Sequence, residues 1–316
     1  MKNKKDLLQA KHFATVTNYD QFIVQTRMGI MLANTLTEFR DYIHAQLCYQ
    51  LLITPIHLPV EKPYRDFARR ACEFFVEKLT EVIDCIYPRH HVLHHFAPHD
   101  RSTAKKVLIT HGWMSRAAYM VRLIRALHQQ GFDVYALDFP AHGEAKGMQL
   151  PWTDAVLLLN HILNNFGPFY GLVGHSFGGS MLLNTLNLAS QLPGWQLDAE
   201  PERVVLLASP TRMRTPVGKL ARRFKLSGRG LLLLREVFRQ HAITDLRKLD
   251  FRHYINHAQT PFLCIHGDQD DSILPSESII FCQQYPHASL ALLPGADHVS
   301  VLIDERVEKT VCQFLT

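Results

Sequence analysis

One glycine-rich stretch, residues 171–179, constrains the fold of this chain more than any other part of its sequence. The apolar residues 169–173 predict a buried strand, and residues 180–192 predict a helix. Between them Gly174 and Gly178 flank Ser176, and glycine is needed there because a Cβ would collide with the strand or the helix. Ser176 is therefore predicted to stand at a sharp turn, at a helix amino terminus that stabilises developing negative charge.

The composition is typical of a globular chain with a large core. The chain has 316 residues, of which 47% are hydrophobic, enough for one large domain or two small ones. No apolar run is long enough for a membrane span or follows the basic first residues, so we expect neither stable membrane insertion nor a secretory signal. The six cysteines lack a close Cys-x-x-Cys pair, which favours reduced thiols and a cytoplasmic protein.

The first part of the chain has a helical pattern. Apolar residues recur every three or four positions through residues 26–52 and again through residues 64–86, which predicts two amphipathic helices. We interpret residues 1–88 as an amino-terminal helical extension packed on the main domain. A homodimer interface and a cover over the active site are the alternatives, and the sequence does not decide between them.

A histidine cluster follows this extension. Its members are His90, His91, His94, His95 and His99. In a strand, alternate residues share a face, so no face gathers the three protein ligands that a catalytic zinc ion usually has. We therefore expect a half-exposed edge strand here rather than a metal site.

From residue 105 onward, strand and helix patterns alternate. Apolar runs predict strands at residues 107–110, 134–137, 169–173, 204–208, 262–265 and 290–293, with helical patterns between most of them. This alternation predicts an α/β fold with a mostly parallel sheet and helices on both faces. Reactive groups of such sheets collect at the carboxyl ends of the strands.

Acids and a histidine follow the last two predicted strands. A serine hydroxyl needs a base within hydrogen-bond reach, and that base needs a carboxylate to orient it. Asp268, Asp270 and Asp271 follow the strand at 262–265, and His298 follows the strand at 290–293. The chain order serine, aspartate, histidine is the order found in α/β-hydrolases.

From about residue 90 to residue 316 the chain resembles the α/β-hydrolase superfamily. The matching pieces are His111-Gly112-Trp113, Asp138-x-Pro140-Ala141-His142-Gly143, Gly174-His175-Ser176-Phe177-Gly178-Gly179, the loop ending in Pro275, and Gly295-Ala296-Asp297-His298. The resemblance implies an α/β-hydrolase domain at residues 89–316, with a helical cap insertion at about residues 210–258. It does not extend to residues 1–88.

The resemblance also implies roles for individual residues. Ser176 would be the nucleophile and His298 the general base. The oxyanion hole would be formed by the backbone N–H groups of Trp113 and Phe177. Asp297, beside the histidine, is interpreted as structural.

The acid has two candidates, because this loop is one residue longer than the usual form of the family. Counting three residues on from Gly267 selects Asp270, whereas counting four back from Pro275 selects Asp271. We favour Asp271, since the downstream apolar and proline positions are retained, and keep Asp270 as the alternative. Asp268 is expected on the loop surface.

The predicted cap is strongly basic. Residues 211–252 contain twelve arginine and lysine residues against three acidic ones, although the whole chain has a net charge of only +5. We interpret this as a solvated helical cap. The alternatives are attraction of an anionic substrate or of an acidic membrane surface. No nucleic-acid partner is expected, because no recognised motif accompanies the charge.

These patterns predict a serine hydrolase that cleaves small carboxylic esters through an acyl-enzyme intermediate, with no metal and no organic cofactor. One alternative is an acyl thioesterase acting on anionic substrates similar to coenzyme A. Another is a binding module without catalytic activity. The acyl and alcohol groups of the substrate depend on the shape of cap and pocket, which motifs do not specify.

Overall fold

The computed structural model describes residues 36–56, 59–60, 62–241 and 259–316. Its strands are β1 Glu81–Cys85, β2 His91–Phe96, β3 Lys106–Thr110, β4 Asp133–Asp138, β5 Gly171–His175, β6 Arg203–Leu207, β7 Phe262–Gly267 and β8 Ala288–Leu293. Its α-helices are α1 Leu36–Ile53, α2 Arg65–Lys78, α3 Val121–Gln129, α4 Trp152–Asn165, α5 Phe177–Gln191, α6 Arg214–Arg223, α7 Gly228–His241, α8 Ser276–Gln284 and α9 Glu305–Leu315. Within the described residues, none of these helices is long and apolar enough to cross a membrane.

The strands of the described residues form one eight-stranded sheet in the order β1-β2-β4-β3-β5-β6-β7-β8. Strands β3 to β8 are parallel, and β1 and β2 are antiparallel to their neighbours. Successive residues of β5, Leu172 and Val173, belong to two different apolar clusters, because alternate side chains point to opposite faces of a strand. Both faces of the sheet are thus covered, and the predicted mostly parallel α/β architecture is confirmed.

The second predicted helix is wrong in its last third. Helix α2 ends at Lys78, and residues 81–85 form the edge strand β1 instead of continuing the helix to residue 86. The backbone turns extended at Leu79, and the N–H of Thr80 then donates to the carbonyl of His95. Pairing with β2 also suits Val82 and Ile83, whose β-branched side chains favour strands. Tertiary pairing therefore overrides the helical periodicity here.

The expectation of a half-exposed edge strand at the histidine cluster is also wrong. Strand β2 lies between β1 and β4, and all of its residues are buried. Carboxylates of β4 pair with two of its imidazoles: Asp138 with His94 at 2.9 Å and Asp133 with His95 at 2.7 Å. No group of three or more His, Cys, Asp and Glu residues in the described ranges is arranged to hold a metal ion.

Helices α6 and α7 lie between β6 and β7, at the position predicted for the cap. Helix α1 packs against α7, with the ring of Tyr49 stacked on His241 and edge-on to Phe238. The hydroxyl of Ser227, just before α7, donates to the carboxylate of Asp41 on α1 at 2.7 Å. Helix α1 thus supports the cap.

Parts of two predicted elements lie outside the described residues. These parts are residues 26–35 of the first helix and residues 242–258 of the cap. The division into residues 1–88 and 89–316, and the homodimer role of the amino-terminal helices, stay predictions.

Candidate active site

Ser176 stands at the turn between β5 and α5, in a strained backbone conformation. Its φ is +50° and its ψ is −115°, a region that residues with a side chain rarely adopt. Two backbone hydrogen bonds hold this conformation: the N–H of Ser176 donates to Leu207 at 2.8 Å, and its carbonyl accepts from Ser180 at 3.0 Å. The turn presents the hydroxyl at the carboxyl edge of the sheet.

The glycines around Ser176 are required by close packing. A Cβ added to Gly174 would lie 2.4 Å from the Cα of Gly179, and one added to Gly179 would lie 2.1 Å from the hydroxyl of Ser209. A Cβ added to Gly178 would lie 2.6 Å from the carbonyl of His111. Strand, helix and neighbouring loop therefore meet at distances that only glycine permits.

Three side chains from three loops form one hydrogen-bonded chain at this edge. The hydroxyl of Ser176 lies 2.9 Å from Nε2 of His298, and Nδ1 of His298 lies 2.7 Å from Oδ2 of Asp270. Since an ionised carboxylate only accepts hydrogen bonds, Nδ1 carries the proton and Nε2 is left to accept from the serine. This arrangement can remove a proton from the Ser176 hydroxyl.

Asp270 is buried and fully hydrogen-bonded. Its Oδ1 accepts the backbone N–H groups of Ser272 and Ile273, each at 2.8 Å, and its Oδ2 lies 3.3 Å from Nε2 of His266. Burial acts to raise the pKa of Asp270, but hydrogen bonds from His266, His298 and the backbone outweigh it and hold that pKa below its ordinary value. The carboxylate of Asp270 is therefore ionised near pH 7, where it can accept the hydrogen bond from Nδ1 of His298.

The preference for Asp271 over Asp270 is corrected by this geometry. The side chain of Asp271 is exposed, and its backbone carbonyl accepts from Nζ of Lys219 on α6 at 2.9 Å. Counting from Gly267 locates the carboxylate that pairs with His298, because the extra residue of the loop lies after Asp270, in the turn that Asp270 caps. Counting back from Pro275 fails for the same reason.

The other two aspartates of these loops have the structural positions that were expected. Asp268 is exposed, and its carboxylate accepts the N–H of Gly295 at 2.7 Å. The carboxylate of Asp297 accepts the N–H groups of Val299 and Ser300, which shapes the turn after His298. Neither carboxylate reaches the imidazole of His298 in the described hydrogen bonds.

Trp113 and Phe177, the residues predicted to donate to an oxyanion, both lie close to Ser176. Phe177 is the first residue of α5, so its N–H has no partner within the helix. Gly112, which precedes Trp113, packs so closely that an added Cβ would lie 3.3 Å from the Cβ of Ser176. The rings of Trp113 and Phe177 are 5.1 Å apart.

The peptide between Gly112 and Trp113 is oriented by His111. The imidazole Nδ1 of His111 donates to the carbonyl of Gly112 at 2.8 Å, and its Nε2 accepts the N–H of Phe139 at 3.3 Å. Because the carbonyl and the N–H of a trans peptide point in opposite directions, this contact directs the Trp113 N–H away from His111. The sequence motif gave His111 no role of its own, and this contact appears only in the structure.

A second buried carboxylate ties the loops beneath the site together. Asp138 accepts the N–H of Ala117, in the loop after β3, at 2.7 Å and that of Glu144, in the loop after β4, at 2.9 Å. Burial acts to raise the pKa of Asp138, but the hydrogen bond from His94 and the nearby imidazoles lower it overall. The imidazole partner His94 lies on the adjacent strand β2, so only the tertiary structure reveals this network.

His175, the residue before the serine, holds the backbone of His298. Its Nε2 lies 2.9 Å from the carbonyl of His298, and its buried Nδ1 has no hydrogen-bond partner within the described residues. Burial, followed by repulsion from His298, lowers the pKa of His175 to about 3. The imidazole is therefore neutral near pH 7, with its proton on Nε2.

With this geometry established, comparison with known proteins identifies the family. A model of the alpha/beta hydrolase family matches residues 107–311, well over half of the chain. The chain belongs to the alpha/beta hydrolase family. The matched span includes the hydrogen-bonded chain of Ser176, His298 and Asp270, as well as the cap helices.

Solved structures of other proteins share this α/β-hydrolase fold at low sequence identity. A butyrate-bound thermophilic esterase from the Planctomycetes species Thermogutta terrifontis is 14% identical, with a TM-score of 0.55, over 74% of this chain and 92% of that one. An esterase from Pyrococcus furiosus is 20% identical, with a TM-score of 0.54, over 83% and 95%. A bromoperoxidase from Bacillus anthracis is 17% identical, with a TM-score of 0.53, over 74% and 99%. At these identities the likeness shows the fold, and no curated protein sequence matches the chain.

Proposed function

We propose that this α/β-hydrolase cleaves carboxylic esters through an acyl-enzyme intermediate, without metal or organic cofactor. The observation that carries the proposal is the hydrogen-bonded chain from the Ser176 hydroxyl through His298 to Asp270. It joins a nucleophile, a base and a carboxylate in the order that serine hydrolysis needs.

In the proposed first half-reaction, His298 removes the proton of Ser176 while the serine oxygen attacks the ester carbonyl. Asp270 keeps the proton on Nδ1 and stabilises the imidazolium that forms. The N–H groups of Trp113 and Phe177 stabilise the oxyanion, aided by the amino terminus of α5. His298 then gives its proton to the departing alcohol, and the acyl group remains on Ser176.

In the second half-reaction, His298 activates a water molecule, which attacks the acyl-enzyme carbonyl. The same two N–H groups stabilise the second oxyanion, and the serine oxygen leaves with the proton returned by His298. The products are a carboxylic acid and free Ser176, so every proton that His298 takes up is given back within one cycle.

The proposal is tested by labelling the full chain with a fluorophosphonate probe and assaying a panel of p-nitrophenyl esters. The butyrate bound to the Thermogutta terrifontis esterase makes short acyl chains a suitable starting point. Labelling should occur at Ser176, and Ser176→Ala should lower kcat by about 10⁶-fold, as loss of a triad serine does elsewhere. Equal turnover by Ser176→Ala would contradict the proposal, and an unchanged unfolding curve would show that the variant is folded.

The basic cap favours a second candidate, an acyl thioesterase for substrates that carry phosphate groups. Arginines of α6 and α7 would attract the anionic part of a substrate similar to coenzyme A. The discriminating measurement is the ratio of kcat/KM for butyryl-coenzyme A to that for p-nitrophenyl butyrate. A ratio above one that falls with added salt supports the thioesterase, and a ratio far below one supports the esterase.

A further inference from the structure

A groove of about 600 Å³ opens between α6 and α7 of the cap. Its apolar lining comes from both helices and the turn between them, including Val217, Ala221, Leu226, Leu231 and Leu232. Val217 and Ala221 are buried, whereas Leu232 is 62% exposed. An aliphatic surface that stays open to solvent in a concave site is typical of a place where an apolar group binds.

The same groove has a strongly positive rim. Four arginines line it, Arg214, Arg222, Arg235 and Arg239, and the only acidic residue of its described lining is Glu236. That acid is already engaged, because the guanidinium of Arg239 donates to both of its carboxylate oxygens, at 2.8 and 2.6 Å. The hydrogen bonds from Arg239 hold the pKa of Glu236 below its ordinary value.

Arg222 and Arg235 are rim charges with no counter-ion among the residues that the structure describes. Arg222 lies at the end of α6 and Arg235 in the middle of α7, so the two helices each contribute one guanidinium. Within the described residues, neither makes an ion pair or a side-chain hydrogen bond. A guanidinium presents its donors as a planar fork that matches two oxygens of a carboxylate or a phosphate.

We propose that this groove binds an anionic amphiphile, a single aliphatic chain that ends in a phosphate or a carboxylate. The oxyanion lies between Arg222 and Arg235, and the chain lies on the apolar lining beside Leu232. Burial of the aliphatic chain adds to the pairing of the oxyanion, so head and chain bind more tightly together than either does alone. The groove volume falls within the roughly 300–1,000 Å³ that small-molecule sites usually have.

The described lining of this groove includes none of Ser176, Asp270 and His298, but α6 contacts the acid loop through Lys219. Lys219, on the groove helix α6, donates to the backbone carbonyls of Asp271 and Ser272 at 2.9 and 3.1 Å. Those carbonyls follow Asp270 directly in the chain. The ligand would therefore contact the helix that holds the acid loop, but the inference does not rest on the proposed esterase activity.

The test measures binding of n-decyl phosphate to the full chain by isothermal titration calorimetry, below the critical micelle concentration. This probe has no acyl carbonyl, so its binding is independent of chemistry at Ser176. Decanoate should also bind, whereas decanol and inorganic phosphate should each bind at least about tenfold more weakly, since each lacks one half of the interaction. Inorganic phosphate binding as tightly as decyl phosphate, or no binding at all, would overturn the proposal.

Two double variants locate the head group. Arg222→Gln with Arg235→Gln should weaken decyl phosphate binding by about tenfold or more, because charge-assisted hydrogen bonds are lost. Arg223→Gln with Lys225→Gln removes the same charge from exposed cap residues outside the groove lining, and should change binding by less than about twofold. Equal weakening in both double variants would show diffuse attraction by the basic cap and would overturn the site.

A third variant locates the aliphatic chain of the ligand. A vesicle-binding measurement distinguishes binding of a monomeric ligand from binding of a membrane surface. Leu232→Ser changes an exposed residue, so folding is preserved, and it should weaken decyl phosphate binding several-fold while leaving inorganic phosphate unaffected. Binding to vesicles of anionic phospholipid without binding to decyl phosphate would replace the proposed site with a membrane surface.

Discussion

The carboxyl edge of the sheet and the cap differ in how densely they are packed and in how their charges are paired. At the edge, an added Cβ on any of the glycines near Ser176 would come within 3 Å of a neighbouring atom, and both carboxylate oxygens of the buried Asp270 accept hydrogen bonds. In the cap, Gly218 has no neighbour within 4 Å of an added Cβ, and Arg222 and Arg235 are exposed. The edge is thus densely packed, whereas the described part of the cap has open space beside Gly218 and two arginines with no described side-chain partner.

This difference explains why chemistry and recognition are divided between the two regions. A proton transfer needs atoms held at fixed hydrogen-bond distances, which dense packing provides. A cap that recognises a ligand needs accessible apolar surface and charges without partners. Substitutions should therefore have large effects at the edge and small effects in the cap.

After Ser176 itself, the largest effect is expected for the acid of the edge. Asp270→Asn should lower kcat for p-nitrophenyl esters by about 10⁴-fold, because an amide no longer fixes the proton on Nδ1 of His298 or stabilises its imidazolium. Asp271→Asn, a change to the exposed neighbour, should keep kcat within about twofold. Steady-state kinetics of both variants checks this. A greater loss of kcat in Asp271→Asn would mean that Asp271, and not Asp270, pairs with His298 during the reaction.

The packing contrast is tested with two glycines. Gly179→Ala should lower the free energy of unfolding by about 1–3 kcal/mol, because its Cβ would meet the hydroxyl of Ser209 at 2.1 Å. Gly218→Ala, inside cap helix α6, should raise it by about 0.5–1 kcal/mol, because alanine favours a helix over glycine and finds no steric conflict. Urea unfolding measures both values. Equal changes in the two variants would contradict the contrast in packing.

A further expected effect concerns the pH dependence of stability. Burial lowers the pKa of His175 from 6.5 to about 3 in the folded protein, so between these pH values the unfolded chain binds a proton that the folded chain does not. Stability contributed by this group is therefore present above pH 6.5 and is lost as the pH falls. From pH 7 to pH 5 the loss should be about 2 kcal/mol, since one pH unit corresponds to about 1.4 kcal/mol.

His175→Gln removes this titration and should make the free energy of unfolding less dependent on pH by that amount. His99→Gln is the matched control, because His99 is exposed in the folded protein. The free energy of unfolding of this variant should depend on pH as that of the unchanged chain does. Urea titrations at pH 7 and pH 5 give the comparison. An identical slope in all three proteins would show that burial of His175 does not control acid stability.

Local patterns were sufficient for much of the sheet and for two members of the site. Apolar runs located β3 to β7, because these strands are buried on both faces of the parallel sheet. The edge strand β8 is only partly buried, and the apolar run at residues 290–293 located it. Ser176 and His298 were found because each lies in a short motif next to such a strand. These are features that neighbouring residues specify together.

Predictions from hydrophobic periodicity were wrong where contacts with residues distant in the sequence determine the secondary structure or the burial. Residues 81–85 had a helical pattern, but pairing with β2 makes them a strand. The histidines of β2 were expected at an exposed edge, but β1 covers that strand and carboxylates of β4 satisfy two of its imidazoles. In both places the contacts that determine the structure come from another strand, which the local sequence pattern does not include.

The amino-acid sequence alone was enough to specify the α/β architecture, the turn that presents Ser176 and the order of serine, aspartate and histidine, because short-range sterics and burial control all three. It could not select Asp270 over Asp271, since adjacent residues have the same carboxylate and only the path of the loop determines which one faces His298. It could not reveal the groove of the cap either, because Arg222 and Arg235 come together only when α6 packs beside α7.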